Sequence, residues 1–164
     1  MPLIVENGTG LSNAESYASV AFADAYFAAR MTGSWDSSDS LKEMLLRVAT
    51  EHIDAFYGQR FKGTRGSITQ ALQWPRVGVF VDGYELAADA VPIEIQRACC
   101  EFAYQANTTS LAPNLTQGIV REKIDVIEVE YDTNSRRLPQ FTKAASLLAK
   151  YLTGGANQCR IERV

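Results

Sequence analysis

The feature that most restricts the fold of this chain is a long amphipathic pattern in residues 41–57. Seven positions recur there at intervals of three and four, which places them on one face of an α-helix; they are Leu41, Met44, Leu45, Val48, His52, Ile53 and Phe56. Ser40 followed by Glu43 is typical of a capping box, and Gly58 is a typical helix end. We therefore expect a helix whose apolar face is packed in a bundle. Its solvent face is expected to have Lys42, Glu43, Arg47, Glu51 and Asp54.

Three other segments have helical spacing. The first begins at Ser19, a typical N-terminal cap, and ends before Gly33. The second follows Pro92; its apolar side has Val91, Ile95, Ala98, Cys99, Phe102, Ala103 and Ala106, and its polar side Glu94, Arg97 and Glu101. The third begins near Pro139 and has Phe141, Ala145, Leu148 and Leu152 before Gly154 and Gly155. The sequence thus predicts a mainly α fold, a small bundle of about four helices.

A β element is expected before the last helix. Ile127, Val129 and Tyr131 alternate with charged residues, as in a half-buried strand. Apolar residues upstream, at positions 120, 124 and 126, follow the opposite phase. Either a bulge or a hairpin bend near Asp125 reconciles the two phases.

The segment from Gly58 to Val91 has no periodicity over more than thirty residues, which predicts a long irregular loop. It contains Asp82-Gly83, a pair typical of a tight hairpin. Loops of this length usually have a function or belong to an interface. Residues 59–81 contain no acidic residue, and their cations are Arg60, Lys62, Arg65 and Arg76.

The composition restricts the class of protein. With 164 residues, 46% of them hydrophobic and 21% charged, the chain is an ordinary globular protein. We expect a single domain over residues 1–155 with an N-terminal arm, residues 1–16, and a flexible tail, residues 156–164. The formal charge of −3 excludes a nucleic-acid binder that uses its whole surface. No apolar run is long enough for a membrane span, and no secretory leader is visible, so no membrane partner is expected.

The reactive residues form no recognised catalytic or metal-binding pattern. His52 is the only histidine, and a lone histidine on an apolar helix face is most often packed. Cys99, Cys100 and Cys159 lack the spacing of metal ligands, and no phosphate-binding glycine loop is present. We therefore expect neither an enzyme nor a cofactor. Five acidic residues either bind a hard cation or spread along a solvated strand face; they are Glu122, Asp125, Glu128, Glu130 and Asp132.

The acid-free segment interleaves its cations with two aromatic residues, Phe61 and Trp74. One interpretation is a platform on which bases stack while the cations neutralise phosphates. The alternative is that both aromatics pack into the bundle while the arginines pair with carboxylates of the same chain or of a neighbour. An exposed Trp74 would favour the first interpretation, and a buried one would argue against it.

Ten short pieces, in order along nearly the whole chain, resemble one known family. They are VENGTGL (5–11), ADAYFAAR (23–30), AT (49–50), ID (53–54), RFKG (60–63), QALQWPR (70–76), VP (91–92), IQRACCE (95–101), VREKI (120–124) and IEVEY (127–131). The family is that of the head–tail adaptor, or connector, proteins of tailed bacteriophages, in the branch catalogued as DnaT-like single-stranded-DNA-binding proteins. No single piece is specific, whereas the ordered set is.

The resemblance implies a structural protein of the virion neck, present in the host cytoplasm during assembly. Copies would form a ring, usually of twelve, below the portal protein, through which double-stranded DNA passes and on which the tail or stopper protein docks. The alternative function is a single-stranded-DNA-binding accessory protein. The basic segment and the acidic strand would be complementary faces between subunits, with Arg60, Arg65 or Arg76 meeting acidic groups of the neighbour. Candidate interface residues, to a neighbour or the portal, are Arg60, Lys62, Arg65, Trp74, Arg76, Glu128, Glu130, Arg160 and Arg163.

Overall fold

A computed structural model describes residues 2–30, 35, 38–112, 121–124, 127–130 and 141–154. Its four α-helices are α1 (Val20–Ala28), α2 (Asp39–Tyr57), α3 (Ile93–Ala106) and α4 (Thr142–Leu148). Short 3-10 helices, Gly58–Arg60 and Ala149–Tyr151, continue α2 and α4. The predicted fold class, mainly α with about four helices, is confirmed. No described helix combines the length and the apolar character needed to cross a membrane.

The core lies where α2 packs on α3 and α3 packs on α4. Leu46 and Ile53 of α2, Ile95 and Phe102 of α3, and Leu148 of α4 are fully buried there. Helix α1 contacts both α2 and α3 and adds the aromatic rings of its C-terminal half. Burying each of these large side chains stabilises the fold by about 1.5–3 kcal/mol.

The start of α2 differs from the predicted capping box, whereas its predicted end at Gly58, the C-cap, is confirmed. Ser38, and not Ser40, is the N-cap, and its hydroxyl accepts a hydrogen bond from the Leu41 N–H at 3.4 Å. Asp39 then lies in the first turn, where a negative charge is favourable. The predicted cap at Ser40 was therefore wrong by two residues, because Ser38 also has a cap-forming side chain.

Two residues assigned to the solvent are instead buried and join helices. Lys42 places its Nζ 2.8 Å from Asp24 Oδ1 and so ties α2 to α1. Glu101 accepts a hydrogen bond from the Tyr26 hydroxyl at 2.6 Å and forms an ion pair with Lys143, so α1, α3 and α4 meet at one carboxylate. Burial and this hydrogen bond raise the pKa of Tyr26 well above its usual range.

The described strands form three antiparallel pairs. Strands β1 (Thr64–Arg65) and β2 (Arg76–Val77) pair within the irregular segment, and so do β3 (Phe80–Val81) and β4 (Tyr84–Glu85). Asp82 and Gly83 connect β3 to β4 with φ of 53° and 85°, as a two-residue hairpin requires, so that prediction is confirmed. Strands β5 (Arg121–Ile124) and β6 (Ile127–Glu130) pair up to Ile124 opposite Ile127. A hairpin, and not a bulge, therefore reconciles the two phases.

The N-terminal arm is organised around one buried carboxylate. Glu6 accepts hydrogen bonds from the main-chain N–H groups of Gly8, Gly10 and Leu11 at 2.9–3.0 Å. Gly8 has a φ of 101°, and a Cβ there would lie 2.0 Å from the carbonyl oxygen of Asp89. The arm thus packs against the irregular segment, and Gly8 permits the close approach. The tail, with Arg160 and Arg163, lies outside the described residues.

Candidate functional site

The two aromatic residues of the acid-free segment lie in the interior. Trp74 is 0% exposed and Phe61 is 4% exposed. The Trp74 ring meets Phe61 and Tyr151 edge to face, with centroids 5.7 Å and 5.5 Å away. Neither ring has a face free to stack on a base, so the predicted stacking platform was wrong. The part of the alternative in which both aromatics pack into the bundle is confirmed. Trp74 also has no surface to offer as an interface residue.

Arg76 is buried with them and binds the main chain of its own segment. Its guanidinium donates to the carbonyl oxygens of Lys62 and Gly63, both at 2.8 Å, and to those of Phe61 and Gln73 at 3.4 Å and 3.3 Å. Burial lowers the pKa of Arg76 from its usual value. Arg76 therefore holds the loop together, and its donors are already used within the chain.

The other three cations of the segment also bond to carbonyl oxygens. Arg60 donates to Gly154 at 3.5 Å, and Arg65 donates to Gln70. Lys62 Nζ donates to the carbonyls of Lys150 and Phe80, at 2.7 Å and 3.4 Å. Within the described ranges, none of the three lies within ion-pair distance of a carboxylate, contrary to the intrachain pairing considered above. Because a carbonyl is neutral, these bonds leave the three cations without a carboxylate partner in the described part of the chain, although Arg65 interacts with the charge of Asp54 at longer range. Pairing across a subunit boundary stays a prediction.

Two of these cations belong to a surface that we call the basic surface, formed by Arg60, Lys62, Lys150 and Phe80. The Lys62 N–H donates to the carbonyl of Tyr151 at 2.8 Å, which brings the segment after α2 beside the end of α4. Phe80, in β3, is 54% exposed, and its carbonyl oxygen accepts from Lys62. Sequence reasoning missed Lys150, since it is almost ninety positions from Lys62, and Phe80, since hairpin residues show no periodic signal.

Lys150 is the member of this surface with an acidic partner. Its Nζ lies 2.6 Å from Glu94 Oε1, and the Tyr151 hydroxyl donates to Glu94 Oε2 at 2.6 Å. Burial alone would raise the pKa of Glu94, but the hydrogen bonds from Lys150 and Tyr151 outweigh it and lower the pKa to about 2. Among the described residues, the basic surface therefore has two cations without a carboxylate partner, one cation paired with Glu94 and one exposed ring.

Of the acidic candidates, Glu122 lies in β5 opposite Val129, and Glu128 and Glu130 lie in β6. The register sets Glu130 opposite Arg121 and Glu128 opposite Lys123, so the two acidic residues of β6 have basic residues as their cross-strand partners. Asp125 and Asp132 lie outside the described residues. In the part of the chain that is described, no three acidic, histidine or cysteine residues come together as a metal ion would require.

A second surface is apolar and lies on α2. Met44 is 48% exposed, and Val48 and Phe56 are exposed as well, although the sequence predicted all three in the packed face. Next to them is a groove of about 320 Å³, which we call the α2 groove. It is lined by Val48, Glu51, His52, Ala55, Phe56, Ala106, Thr109, Ser110, Leu111 and Ala112.

His52 forms the floor of the α2 groove. It is 9% exposed, as expected for a packed histidine, and its ring stacks on Phe56 with centroids 4.4 Å apart. Burial lowers its pKa, so the ring is neutral at neutral pH. Its buried Nδ1 has no hydrogen-bond partner among the described residues. A neutral ring nitrogen of this kind is able to accept or donate one bond.

A buried polar cluster attaches the irregular segment to α2. The buried Tyr17 hydroxyl donates to Asp54 and accepts from the N–H groups of Gln73 and Trp74 at 3.0 Å and 3.3 Å. Asp54 also accepts from the Gln73 N–H at 3.1 Å. Asp54 was expected in solvent; burial instead raises its pKa to about 6. The cluster satisfies main-chain donors and is structural.

Comparisons with known proteins identify a family for the chain but no individual relative. No curated protein and no solved structure matches the chain. One family model, described as "Putative DnaT-like ssDNA binding protein", matches residues 1–164. This is the branch that the ordered sequence pieces resemble. Because the model covers the whole chain, the protein belongs to the DnaT-like single-stranded-DNA-binding family.

Proposed function

We propose that the protein binds single-stranded DNA and that the basic surface is its contact. The observation that carries the proposal is the pair Arg60 and Lys62, whose described partners are neutral carbonyls beside the exposed ring of Phe80. Cations that are not matched by carboxylates attract phosphates, and an exposed ring offers a face to a base. The family to which the chain belongs supports this choice.

The size of the surface limits the mode of binding. Each phosphate that a cation neutralises on a single strand contributes about −0.7 to the slope of log K against log salt. Lys150 is already paired with Glu94, so Arg60 and Lys62 together predict a slope of about −1.4. Stacking on one aromatic ring contributes about 1–3 kcal/mol per base. The contact is thus short, and it is weakly selective for sequence because stacking and phosphate contacts do not read base edges.

The test is a titration of fluorescently labelled oligothymidine followed by anisotropy at several salt concentrations. We expect the double variant Arg60→Gln with Lys62→Gln to weaken binding and to flatten the salt slope by about 1.4. Phe80→Ala is expected to weaken binding about five-fold or more without changing the slope. Arg30→Gln is the matched control, because Arg30 is an exposed cation at the end of α1 that stacks on Tyr26. Equal affinity for all four proteins would rule out the basic surface.

A second candidate is the structural adaptor of a tailed phage. Its support is the apolar surface of α2, where Met44, Val48 and Phe56 are exposed beside the α2 groove. A contiguous apolar surface of this kind is typical of a protein that assembles with others. In this proposal copies form a ring at the virion neck, bind the portal protein and the tail or stopper protein, and act without catalysis or a cofactor.

Sizing the purified protein by light scattering, alone and with the portal protein of the same virus, tests the adaptor proposal. We expect a large complex that contains both proteins. If the two proteins elute separately at every ratio, or if electron micrographs of particles lack density for this chain at the neck, the adaptor proposal is wrong. Neither result bears on DNA binding, which the anisotropy titration measures independently.

A further inference from the structure

The most exposed large apolar side chain of the described part of the chain is Ile68, which is 95% exposed. It lies in the loop that connects β1 to β2, and the loop is firmly held. Gln70, which is buried, donates from Nε2 to the carbonyls of Leu72 and Pro75 at 2.8 Å and 3.0 Å, and its Oε1 accepts from the Ser67 N–H at 2.8 Å. The loop therefore presents Ile68 in a fixed position, so that little conformational entropy is lost if a partner covers it.

Polar groups surround Ile68. The hydroxyls of Ser67 and Thr69 lie 2.9 Å apart, and since only one of them donates in that bond, the other keeps a free hydrogen. Arg65, three residues before Ile68, is exposed and donates to the neutral carbonyl of Gln70. We call this set the Ile68 knob: an apolar side chain with hydroxyl donors and one cation beside it.

The α2 groove has the complementary features. Most of its lining residues are apolar, although Thr109 and Ser110 also contribute, and its rim has the exposed carboxylate of Glu51. An occupant of matching chemistry would bring an aliphatic side chain for the apolar lining and a cation for Glu51. The Ile68 knob brings both.

We infer that the Ile68 knob of one copy of the protein inserts into the α2 groove of a second copy. Within a single chain the two do not meet, because Ile68 is almost fully exposed. Knob and groove are different surfaces, so each copy keeps one of them free after the first contact, and the contact repeats from copy to copy. The inference deepens the adaptor proposal by naming the contact between copies, and it does not depend on DNA binding.

Disulfide cross-linking between two different variants tests the contact. The background is Cys159→Ser, in which the two remaining cysteines, Cys99 and Cys100, are buried. One variant adds Ile68→Cys and the other adds Ala55→Cys, at the exposed edge of the α2 groove. Under mild oxidation we expect the mixture to form covalent dimers about ten-fold faster than colliding molecules would, because the contact raises the effective concentration. A single chain with both changes is expected to form a ladder of larger species.

The matched control replaces Ile68→Cys with Ile93→Cys, since Ile93 is another exposed isoleucine, at the start of α3. If both mixtures cross-link at the same rate, the proposed contact is wrong. Adding Glu51→Lys to the groove variant should slow cross-linking several-fold through repulsion of Arg65, and an unchanged rate would also count against it. If cross-linking succeeds but the portal protein does not bind, the contact stands and the adaptor proposal fails.

Discussion

The irregular segment between α2 and α3 and the apolar face of α2 have opposite relations to the interior. Trp74, in a loop, is completely buried, whereas Met44, in a regular helix, is half exposed. A loop enters a core only when its main-chain polar groups find partners, and here Arg76, Gln70 and Tyr17 provide them. A helix makes its main-chain hydrogen bonds internally, so its apolar side chains can stay exposed without leaving main-chain groups unpaired. Regular backbone is thus a poor guide to burial in this protein.

The largest expected effect comes from removing the centre of the loop's core. Trp74→Ala leaves a cavity between Phe61 and Tyr151 and should reduce the free energy of unfolding by about 3–5 kcal/mol. Urea denaturation followed by circular dichroism measures it. Phe80→Ala is the control, because an exposed aromatic should change stability by only about 0.5 kcal/mol. Similar losses for the two variants would contradict the burial of the loop.

Arg76→Lys tests whether the planar guanidinium is what holds the loop in the interior. Lysine has one nitrogen and cannot reach the carbonyls of Lys62, Gly63 and Gln73 together. Carbonyls left without donors cost about 1–3 kcal/mol each, so we expect a loss of about 3 kcal/mol in denaturant titrations. Arg60→Lys, at the protein surface, should be almost neutral. A neutral Arg76→Lys would show that the loop does not need this side chain.

The buried Asp54 makes the attachment of the loop depend on pH. Since burial raises its pKa to about 6 from 3.8, the folded state binds the proton more tightly than the unfolded state. The contribution of Asp54 to the free energy of unfolding is therefore present at low pH, and it is lost as the pH rises through the interval between 3.8 and about 6. From about pH 4.5 to about pH 7 we expect Asp54 to reduce the free energy of unfolding by about 2 kcal/mol.

Comparing the wild type with Asp54→Asn at both pH values isolates this contribution. The variant should lack that part of the pH dependence, and Glu51→Gln on the exposed face of α2 controls for the loss of a carboxylate. Glu94, whose pKa is lowered to about 2, acts in the opposite direction, and mostly below about pH 4.5. Identical pH profiles for the wild type and Asp54→Asn would show that Asp54 is not buried as described.

The smallest expected effect is on the apolar face of α2. Met44→Gln and Val48→Gln keep the helix and should change the stability of the single chain by about 0.5 kcal/mol or less. Leu46→Ala, on the opposite side of the same helix, should cost about 2–5 kcal/mol in the same denaturation experiment. Large losses for Met44→Gln would mean that this face is covered within the chain.

These contrasts explain which features of the fold and of the site could be predicted from the sequence. Helical spacing predicted four helices, and Asp82-Gly83 predicted a hairpin, because both depend on neighbours along the chain. Spacing identified Met44 as apolar but could not say whether anything covers it. Cations beside aromatics suggested a surface platform, yet the same residue types also build a buried clamp when carbonyls face Arg76. The basic surface needs Lys150, which only the tertiary fold brings to Lys62.

The interior position of the two tryptophans has a practical consequence. Trp35 and Trp74 are the only tryptophans of the chain, and both are buried. Their fluorescence emission should be blue-shifted in the native protein and should shift to the red on unfolding. Tryptophan fluorescence is therefore an intrinsic probe of unfolding. The same burial keeps nucleobases from quenching the two tryptophans. Tryptophan fluorescence that does not change during a titration with oligonucleotide is therefore compatible with binding. A dye on the oligonucleotide is needed to detect that binding.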